Sequence, residues 1–125
     1  MSAAPVNANR KSPIHLRATL APGIAIGPGK ADLLEGIRDT GSIAAAGRRM
    51  RMSYKRAWQL VEELNRGFRE PLVESSKGGP GGGGAHLTRT GDIVLARYTR
   101  MREAATTAVA GDLAVLRRLL PARSR

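Results

Sequence analysis

The sequence predicts a mainly α-helical fold with a small β wing: a winged helix-turn-helix that continues into a long C-terminal helix. Three observations predict it. A short Ala-rich helix and a strongly amphipathic one are separated by a brief turn at Arg51-Met52. A Gly-rich hairpin follows at residues 71–88, and apolar residues at helical spacing fill the last third of the chain. A helix pair, a hairpin and a closing helix are the parts of this fold.

The length and charge of the chain limit its class and its partners. Its 125 residues suffice for one domain with a real core. Lys and Arg total 21 against 10 Asp and Glu, a net charge of +11, which favours a polyanionic partner because phosphate neutralisation releases counterions. No apolar run approaches the roughly 20 residues of a membrane-spanning helix, and no signal-peptide pattern opens the chain. We therefore expect a cytoplasmic protein with no membrane partner.

The first third of the chain is predicted to form an arm, a strand and a helix. Residues 1–13 are small, polar and basic, which is typical of a flexible basic arm. Ile14–Leu20 alternates apolar and polar residues as a half-buried strand does, and Pro22-Gly23 ends it. A helix is predicted from Lys30 to Thr40, with Gly41 placed to end it. The apolar residues on one stripe of this helix are Ala31, Leu33, Leu34 and Ile37.

Two further helices follow, each opened by a serine. Ser42 is suited to cap a short helix that reaches about Met50, and Ser53 to cap a longer one that reaches about Phe68. Apolar residues recur in the longer helix at i, i+3, i+4 and i+7: Ala57, Leu60, Val61 and Leu64. At 100° per residue, its opposite face carries Lys55, Gln59 and Arg66.

The wing and the closing helix complete the prediction. Pro71–Ser75 and Ala85–Thr88 are predicted strands, joined by a flexible Gly-rich tip at Lys77–Gly84. Thr88 caps the final helix, which Gly111-Asp112 is expected to break. A small domain needs only about three turns of such a helix, so the surplus apolar length predicts a homodimer with coiled-coil-like packing. The expected domain is 14–105, and 106–125 form the end of the helix and a basic tail.

The start of the longer helix carries the candidate DNA-contacting residues. In a helix-turn-helix the N-terminal turn of the recognition helix enters the major groove. The residues placed there are Tyr54, Lys55, Arg56 and Gln59. Arg and Lys pair with guanine, and Gln can bond an adenine at two points. Phosphate contacts are expected from the basic residues of the turn and wing: Arg48, Arg49, Arg51 and Lys77. The alternative is a basic helix face exposed to water.

Other chemistries have less support. Aromatic residues make up 3% of the chain, too few for the stacking platforms of single-strand binders, and Trp58 is expected to pack beside the helix pair. The Gly-rich wing is not a phosphate loop, because Lys77 precedes its glycines. Neither His15 nor His86 has a partner at metal-ligand spacing, and cysteine is absent. We therefore expect double-stranded DNA as partner, no metal, no cofactor and no enzymatic activity.

At these residues the chain resembles the N-terminal DNA-binding domain of the ModE-type molybdate-responsive transcriptional regulators. The resemblance covers about Ile14 to Ala105. The matching stretches are Thr40–Ala46, Met52–Trp58, Glu63–Asn65, Arg69–Glu74 and Gly81–Thr88. It implies a dimeric winged-helix regulator that binds palindromic operators near molybdate-transport and molybdoenzyme genes. Its DNA-facing residues would be Ser53, Tyr54, Lys55, Arg56 and Gln59.

Two departures from the family pattern qualify this expectation. Full-length members continue into a pair of small β-barrel molybdate-binding domains, and nothing in this sequence looks like one. The expected protein is therefore a regulator without its own molybdate-sensing domain, an arrangement that allows a separate molybdate-sensing partner. In addition, Arg51 replaces the glycine common in the family's turn.

Two alternative functions stay open. A nucleoid-associated or architectural protein would share the charge and the fold but bind DNA with little sequence choice. A protein-interaction module would use the winged fold to dock another protein, and would not bind DNA even at low salt.

Overall fold

The structure, a computed structural model, describes residues 12–79 and 82–122. The side chains of residues 77–79, 82 and 83 are outside this description, as are the arm up to residue 11 and the last three residues of the tail. The elements in chain order are β1 Ala18–Ala21, β2 Ile24–Ile26, α1 Pro28–Thr40, α2 Ile43–Arg49, α3 Tyr54–Gly67, β3 Val73–Gly79, β4 Gly82–Leu87, α4 Arg89–Ala108 and α5 Ala110–Arg118.

This architecture confirms the predicted fold class. The helices dominate the described residues, and the strands form two separate antiparallel hairpins, β1–β2 and β3–β4. The second hairpin is the wing, in which Val73 pairs with Leu87 and Ser75 with Ala85. None of the described helices is both long and apolar enough to cross a membrane.

The predicted strand at Ile14–Leu20 is wrong in its extent. The strand begins only at Ala18 and pairs with a second strand, β2, that the pattern did not reveal. Gly23, at φ +78°, forms the turn between the two strands instead of simply ending the first. Three-residue β2 is too short to show an alternating pattern, which explains the omission.

The core lies between α1, α3 and the wing. All the apolar residues predicted on α1 and α3 are buried: Ala31, Leu33, Leu34, Ile37, Ala57, Leu60, Val61 and Leu64. Helix α2 approaches α1 closely at Gly36, where an added Cβ would lie 2.9 Å from the Ala46 Cβ. Glycine and alanine at this contact thus let α1 and α2 approach closely.

The predicted helix caps are confirmed. The side chains of Ser42, Ser53 and Thr88 accept hydrogen bonds from the backbone N–H groups of Ala45, Arg56 and Gly91, each at 3.0 Å. Gly41 ends α1 in the left-handed conformation, at φ +72°. Each cap satisfies a backbone donor that would otherwise have no partner at the helix start.

The buried residues of the closing helix α4, which are Gly91, Leu95 and Tyr98, lie in its first half. Tyr98 is 1% exposed, and its hydroxyl donates to the Leu16 carbonyl at 2.7 Å. Burial raises the pKa of the Tyr98 phenol, so the proton of this bond is retained. The predicted break at Gly111-Asp112 is wrong: α4 ends before Val109, and both residues lie within α5. An exposed helix tolerates a glycine at a cost of about 1 kcal/mol.

The C-terminal helices leave a set of apolar side chains exposed. Its members are Ile93, Met101, Val115, Leu116, Leu119 and Leu120. Val115, Leu116, Leu119 and Leu120 follow one another closely in sequence, whereas Ile93 and Met101 lie apart on α4.

Candidate DNA interface

The helix-turn-helix is built from α2, α3 and the turn between them. The Gly47 carbonyl accepts N–H groups from Met50 and Met52, both at 3.0 Å, which closes the turn. At Gly47 an added Cβ would lie 3.0 Å from the Ala57 Cβ, so glycine allows α2 to cross close beneath the first turn of α3. Main-chain bonds and a glycine contact thus fix the angle at which α3 is presented.

Arg51 occupies this turn in a conformation that favours glycine. Its φ is +59°, the only positive φ among the described non-glycine residues. The left-handed conformation costs an L-residue about 1–2 kcal/mol. A left-handed backbone accounts for the glycine that the family resemblance leads one to expect here, whereas this chain places an exposed arginine in that conformation.

Replacing Arg51 with glycine is expected to leave the domain as stable as the wild type or up to about 1 kcal/mol more stable. Relief of strain is partly offset by the greater freedom of glycine in the unfolded chain, about 0.4–1 kcal/mol. Arg51→Ala removes the same charge but keeps the strain, so it should be about 1 kcal/mol less stable than Arg51→Gly in urea unfolding. Equal stability of the two variants would contradict a strained turn.

The first turns of α3 present an uninterrupted polar and basic face. Tyr54 is 56% exposed, and Ser53, Lys55, Arg56 and Gln59 are also exposed. Ser53 accepts from Arg56 N–H through its side-chain oxygen, and its own O–H can still donate outwards. The structure thus exposes, at the N-terminal end of α3, all five residues that the sequence singled out there.

The three arginines of the turn differ in their surroundings. Arg48 is exposed, and no ion pair of its side chain occurs among the described residues. Arg49 is 23% exposed and lies 3.5 Å from the Asp39 carboxylate, which also contacts Arg38 at 3.0 Å. Surface pairs of this kind contribute at most about 1 kcal/mol. Arg48 and Arg51 are therefore presented for phosphate contact directly, whereas Arg49 must first leave Asp39.

The wing is joined to the helix-turn-helix by the main chain. The Ala85 N–H donates to the Gly41 carbonyl at 2.9 Å, and an added Cβ at Gly84 would lie 3.0 Å from the same oxygen. Glycine at this wing position therefore permits the close approach of strand β4 to the end of α1. Lys77 belongs to β3, but its side chain lies outside the described residues.

Asn65 anchors the other strand of the wing. Its side-chain oxygen accepts the N–H groups of Leu72 at 2.8 Å and Val73 at 3.1 Å, and its amide donates to the Val73 carbonyl at 3.1 Å. These bonds tie the start of β3 to α3. Sequence reasoning did not assign this role to Asn65. The available signal was a polar residue directly after the buried stripe of α3, inside one of the stretches that resemble the regulator family.

A groove of about 280 Å³ separates α3 from the wing. Its walls carry hydroxyl groups and two aromatic rings, contributed by Ser42, Tyr54, Trp58, Ser75 and Ser76. In one wall the Trp58 indole N–H donates to the Tyr54 hydroxyl. Trp58 is half-buried against the core, which confirms the prediction that it packs beside the helix pair. No group of three acidic or histidine side chains suited to a metal ion occurs among the described residues.

Comparison with known proteins identifies relatives of this sequence. No protein-family model matches the chain. It is 41% identical to the DNA-binding transcriptional dual regulator ModE of Escherichia coli over 57% of this chain and 27% of that protein. It is 33% identical to the molybdenum transport protein ModE of Azotobacter vinelandii over 82% of this chain and 42% of that protein. The chain is a homologue of the ModE regulators.

A third relative extends the link to molybdenum. The molybdenum-pterin-binding protein MopA of Rhodobacter capsulatus is 40% identical over 67% of this chain and 32% of its own length. The chain thus spans about a third of the length of the curated ModE and Mop relatives it matches. These relatives are regulators and molybdenum-linked binding proteins, not enzymes. The predicted resemblance to the ModE regulators is confirmed.

Proposed function

We propose that this ModE homologue is a homodimeric, sequence-specific regulator that binds double-stranded DNA in the cytoplasm through α3 and the wing. The observation that carries the proposal is the start of α3. Over residues 53–59 it presents polar and basic side chains and no acidic one, beside a groove that faces the wing. Acidic side chains appear only later, at Glu62 and Glu63, of which Glu63 lies 3.6 Å from Lys30.

Docking of α3 into the major groove accounts for this distribution. The groove is about 12 Å wide and admits one helix, whose first turns reach the base edges. Lys55, Arg56 and Gln59 then read bases, while Arg48 and Arg51 at the turn contact phosphates and set the register. We assign Lys77 on the wing to the neighbouring backbone. The later acidic turns of α3 leave the groove, where their repulsion from phosphate is small.

The exposed apolar side chains of α4 and α5 support a second copy of the chain as the covering molecule. Leu116, Leu119 and Leu120 are each more than half exposed and follow one another at helical spacing. Pairing of these faces would bury them and place two recognition helices on one duplex. A twofold dimer reads two half-sites about 34–36 Å apart, which corresponds to a palindromic operator.

Base contacts by α3 are tested by removing Lys55 and Gln59 separately. Lys55→Ala and Gln59→Ala should each weaken binding to the preferred site by about 1–3 kcal/mol, with a smaller effect on random DNA. The measurement is the Kd for both DNAs at one fixed salt concentration. Equal losses of affinity for the two DNAs would show that these residues do not read bases.

Arg48→Ala and Arg66→Ala are the matched controls. Arg48→Ala should weaken binding to both DNAs alike. It should also reduce the magnitude of the slope of log K against log salt by about 0.9, the value for one lost phosphate contact. Arg66 is exposed on the last turn of α3, away from the proposed groove contact, so Arg66→Ala should change neither Kd substantially. A large loss in Arg66→Ala would mean that net charge alone governs binding.

The operator itself requires selection of bound fragments from genomic DNA, with and without molybdate. Recovery of one palindromic motif supports the regulator. We expect the purified chain to select the same motif with the same affinity in both conditions. A molybdate-dependent change with the purified chain alone would contradict that expectation.

A second candidate, an architectural protein that coats DNA, is favoured by the net charge of +11. Charge of this size on a small domain binds duplex DNA regardless of sequence. Selection would then return no motif, and the ratio of specific to random affinity would be near one.

A further inference from the structure

Tyr54 and Trp58 form a hydrogen-bonded pair on the DNA-facing side of α3. They are four residues apart and therefore neighbours on one helix face. Their rings meet edge to face, with centroids 6.4 Å apart and planes at 81°. Trp58 is half-buried against the core, whereas Tyr54 is exposed. A ring held by the core thus supports a ring that projects toward the groove beside the wing.

The direction of the hydrogen bond between them is fixed by chemistry. An indole nitrogen can only donate, so the Trp58 N–H donates and the Tyr54 oxygen accepts. The Trp58 N–H thereby occupies one acceptor position of the Tyr54 hydroxyl oxygen. The Tyr54 proton must point away from Trp58, and a hydroxyl that accepts one bond becomes a better donor in its next bond.

We propose that Trp58 is a positioning residue that makes the Tyr54 hydroxyl a dedicated hydrogen-bond donor to an acceptor on DNA. This rests on the proposed function and deepens it, because it states which partners Tyr54 can recognise. Suitable acceptors are a phosphate oxygen or a base acceptor such as N7 or O6 of guanine. Amino groups of cytosine and adenine are disfavoured, since the phenol oxygen already accepts from Trp58.

The bond can be tested without DNA, because Trp58 is the only tryptophan of the chain. A ¹⁵N–¹H spectrum therefore contains one indole signal. Tyr54→Phe keeps the ring and removes the acceptor, so the indole proton should shift upfield and exchange faster with water. Tyr98→Phe is the matched control: it removes the other tyrosine hydroxyl, which bonds Leu16 instead. An indole signal unchanged by Tyr54→Phe would overturn the proposal.

The effect on DNA binding is tested with Trp58→Phe, Tyr54→Phe and the double variant. Each single change should weaken binding about 3- to 10-fold, the range of one net hydrogen bond. The double variant should bind no more weakly than Tyr54→Phe, because both changes act through one hydroxyl. Equal losses on specific and random DNA identify a phosphate acceptor, and a loss confined to specific DNA identifies a base. Losses that multiply, or no loss, would overturn the proposal.

Two measurements distinguish a failure of this proposal from a failure of DNA binding or of folding. If the wild type binds no DNA at low salt, the proposed function fails, whatever the state of the Tyr54–Trp58 bond. If Trp58→Phe does not fold, the single tryptophan can be replaced during expression by benzothienylalanine, which keeps the shape and has sulfur in place of the N–H. Undiminished DNA binding by that protein would contradict a positioning role.

Discussion

Replacing Asn65 with alanine is expected to lower the free energy of unfolding by about 2–4 kcal/mol. The change leaves the N–H groups of Leu72 and Val73 without their acceptor, and both residues are buried. Each buried unsatisfied backbone group costs about 1–3 kcal/mol. Alanine regains a few tenths of this through its higher helix propensity. Chemical denaturation, followed by far-ultraviolet circular dichroism, measures the difference.

Asn65→Asp separates the individual bonds of this clamp. The carboxylate keeps the acceptor for both N–H groups but loses the amide donor to the Val73 carbonyl, so its stability should lie between wild type and Asn65→Ala. Arg66→Ala, one residue on and exposed, should stay within about 0.5 kcal/mol of the wild type. Wild-type stability in Asn65→Ala would show that the start of β3 is held by other contacts.

Gly91→Ala is expected to destabilise the domain by about 3 kcal/mol. Gly91 lies in the first turn of α4, and an added Cβ would lie 2.2 Å from the Leu72 carbonyl oxygen and 3.1 Å from its carbon. Both are backbone atoms, and that oxygen also accepts the Thr88 N–H at 2.9 Å. No rotamer change can relieve the clash, so α4 or the start of β3 must move. Overpacking of this kind typically costs about 1–3 kcal/mol, and occasionally more.

Gly111→Ala is the matched control for Gly91→Ala. Gly111 also lies near the start of a helix, but no heavy atom comes within 4 Å of its added Cβ. The substitution should therefore leave stability unchanged or raise it by up to about 1 kcal/mol, through higher helix propensity. Thermal unfolding of both variants gives the comparison. A similar loss in both would point to a general intolerance of alanine and against the specific clash with Leu72.

The helices and their caps could be predicted because their signals are local. An N-cap serine or threonine and an apolar stripe each depend on residues a few positions apart, and Ser42, Ser53 and Thr88 all cap as expected. The short strand β2 and the helix break at Val109 gave no such signal. A three-residue strand has too few positions to alternate, and exposed Gly111 does not disrupt α5 enough to end it.

The sequence predicts which residues belong to the candidate interface. It does not predict the contacts that hold α3 and the wing in their relative positions. Lys55 and Gln59 follow from helical periodicity, since they lie opposite the buried stripe. The bond from Ala85 to Gly41 and the clamp at Asn65 join parts of the chain that no local pattern relates. The left-handed backbone at Arg51 is not signalled by the arginine itself. Its only sign in the sequence was the family resemblance, in which glycine is common at this position.

The backbone of Gly41 has a consequence for how this domain can change. Its N–H closes α1 at 2.8 Å from the Ile37 carbonyl, and its carbonyl holds the wing through Ala85. One residue thus joins the end of α1 to the wing, and neither bond involves a side chain. Under the proposed function, substitutions at Lys55, Arg56 or Gln59 therefore alter the preferred base sequence while this backbone link between α1 and the wing is kept. The base sequence that the domain prefers and the placement of its wing can therefore change independently of each other.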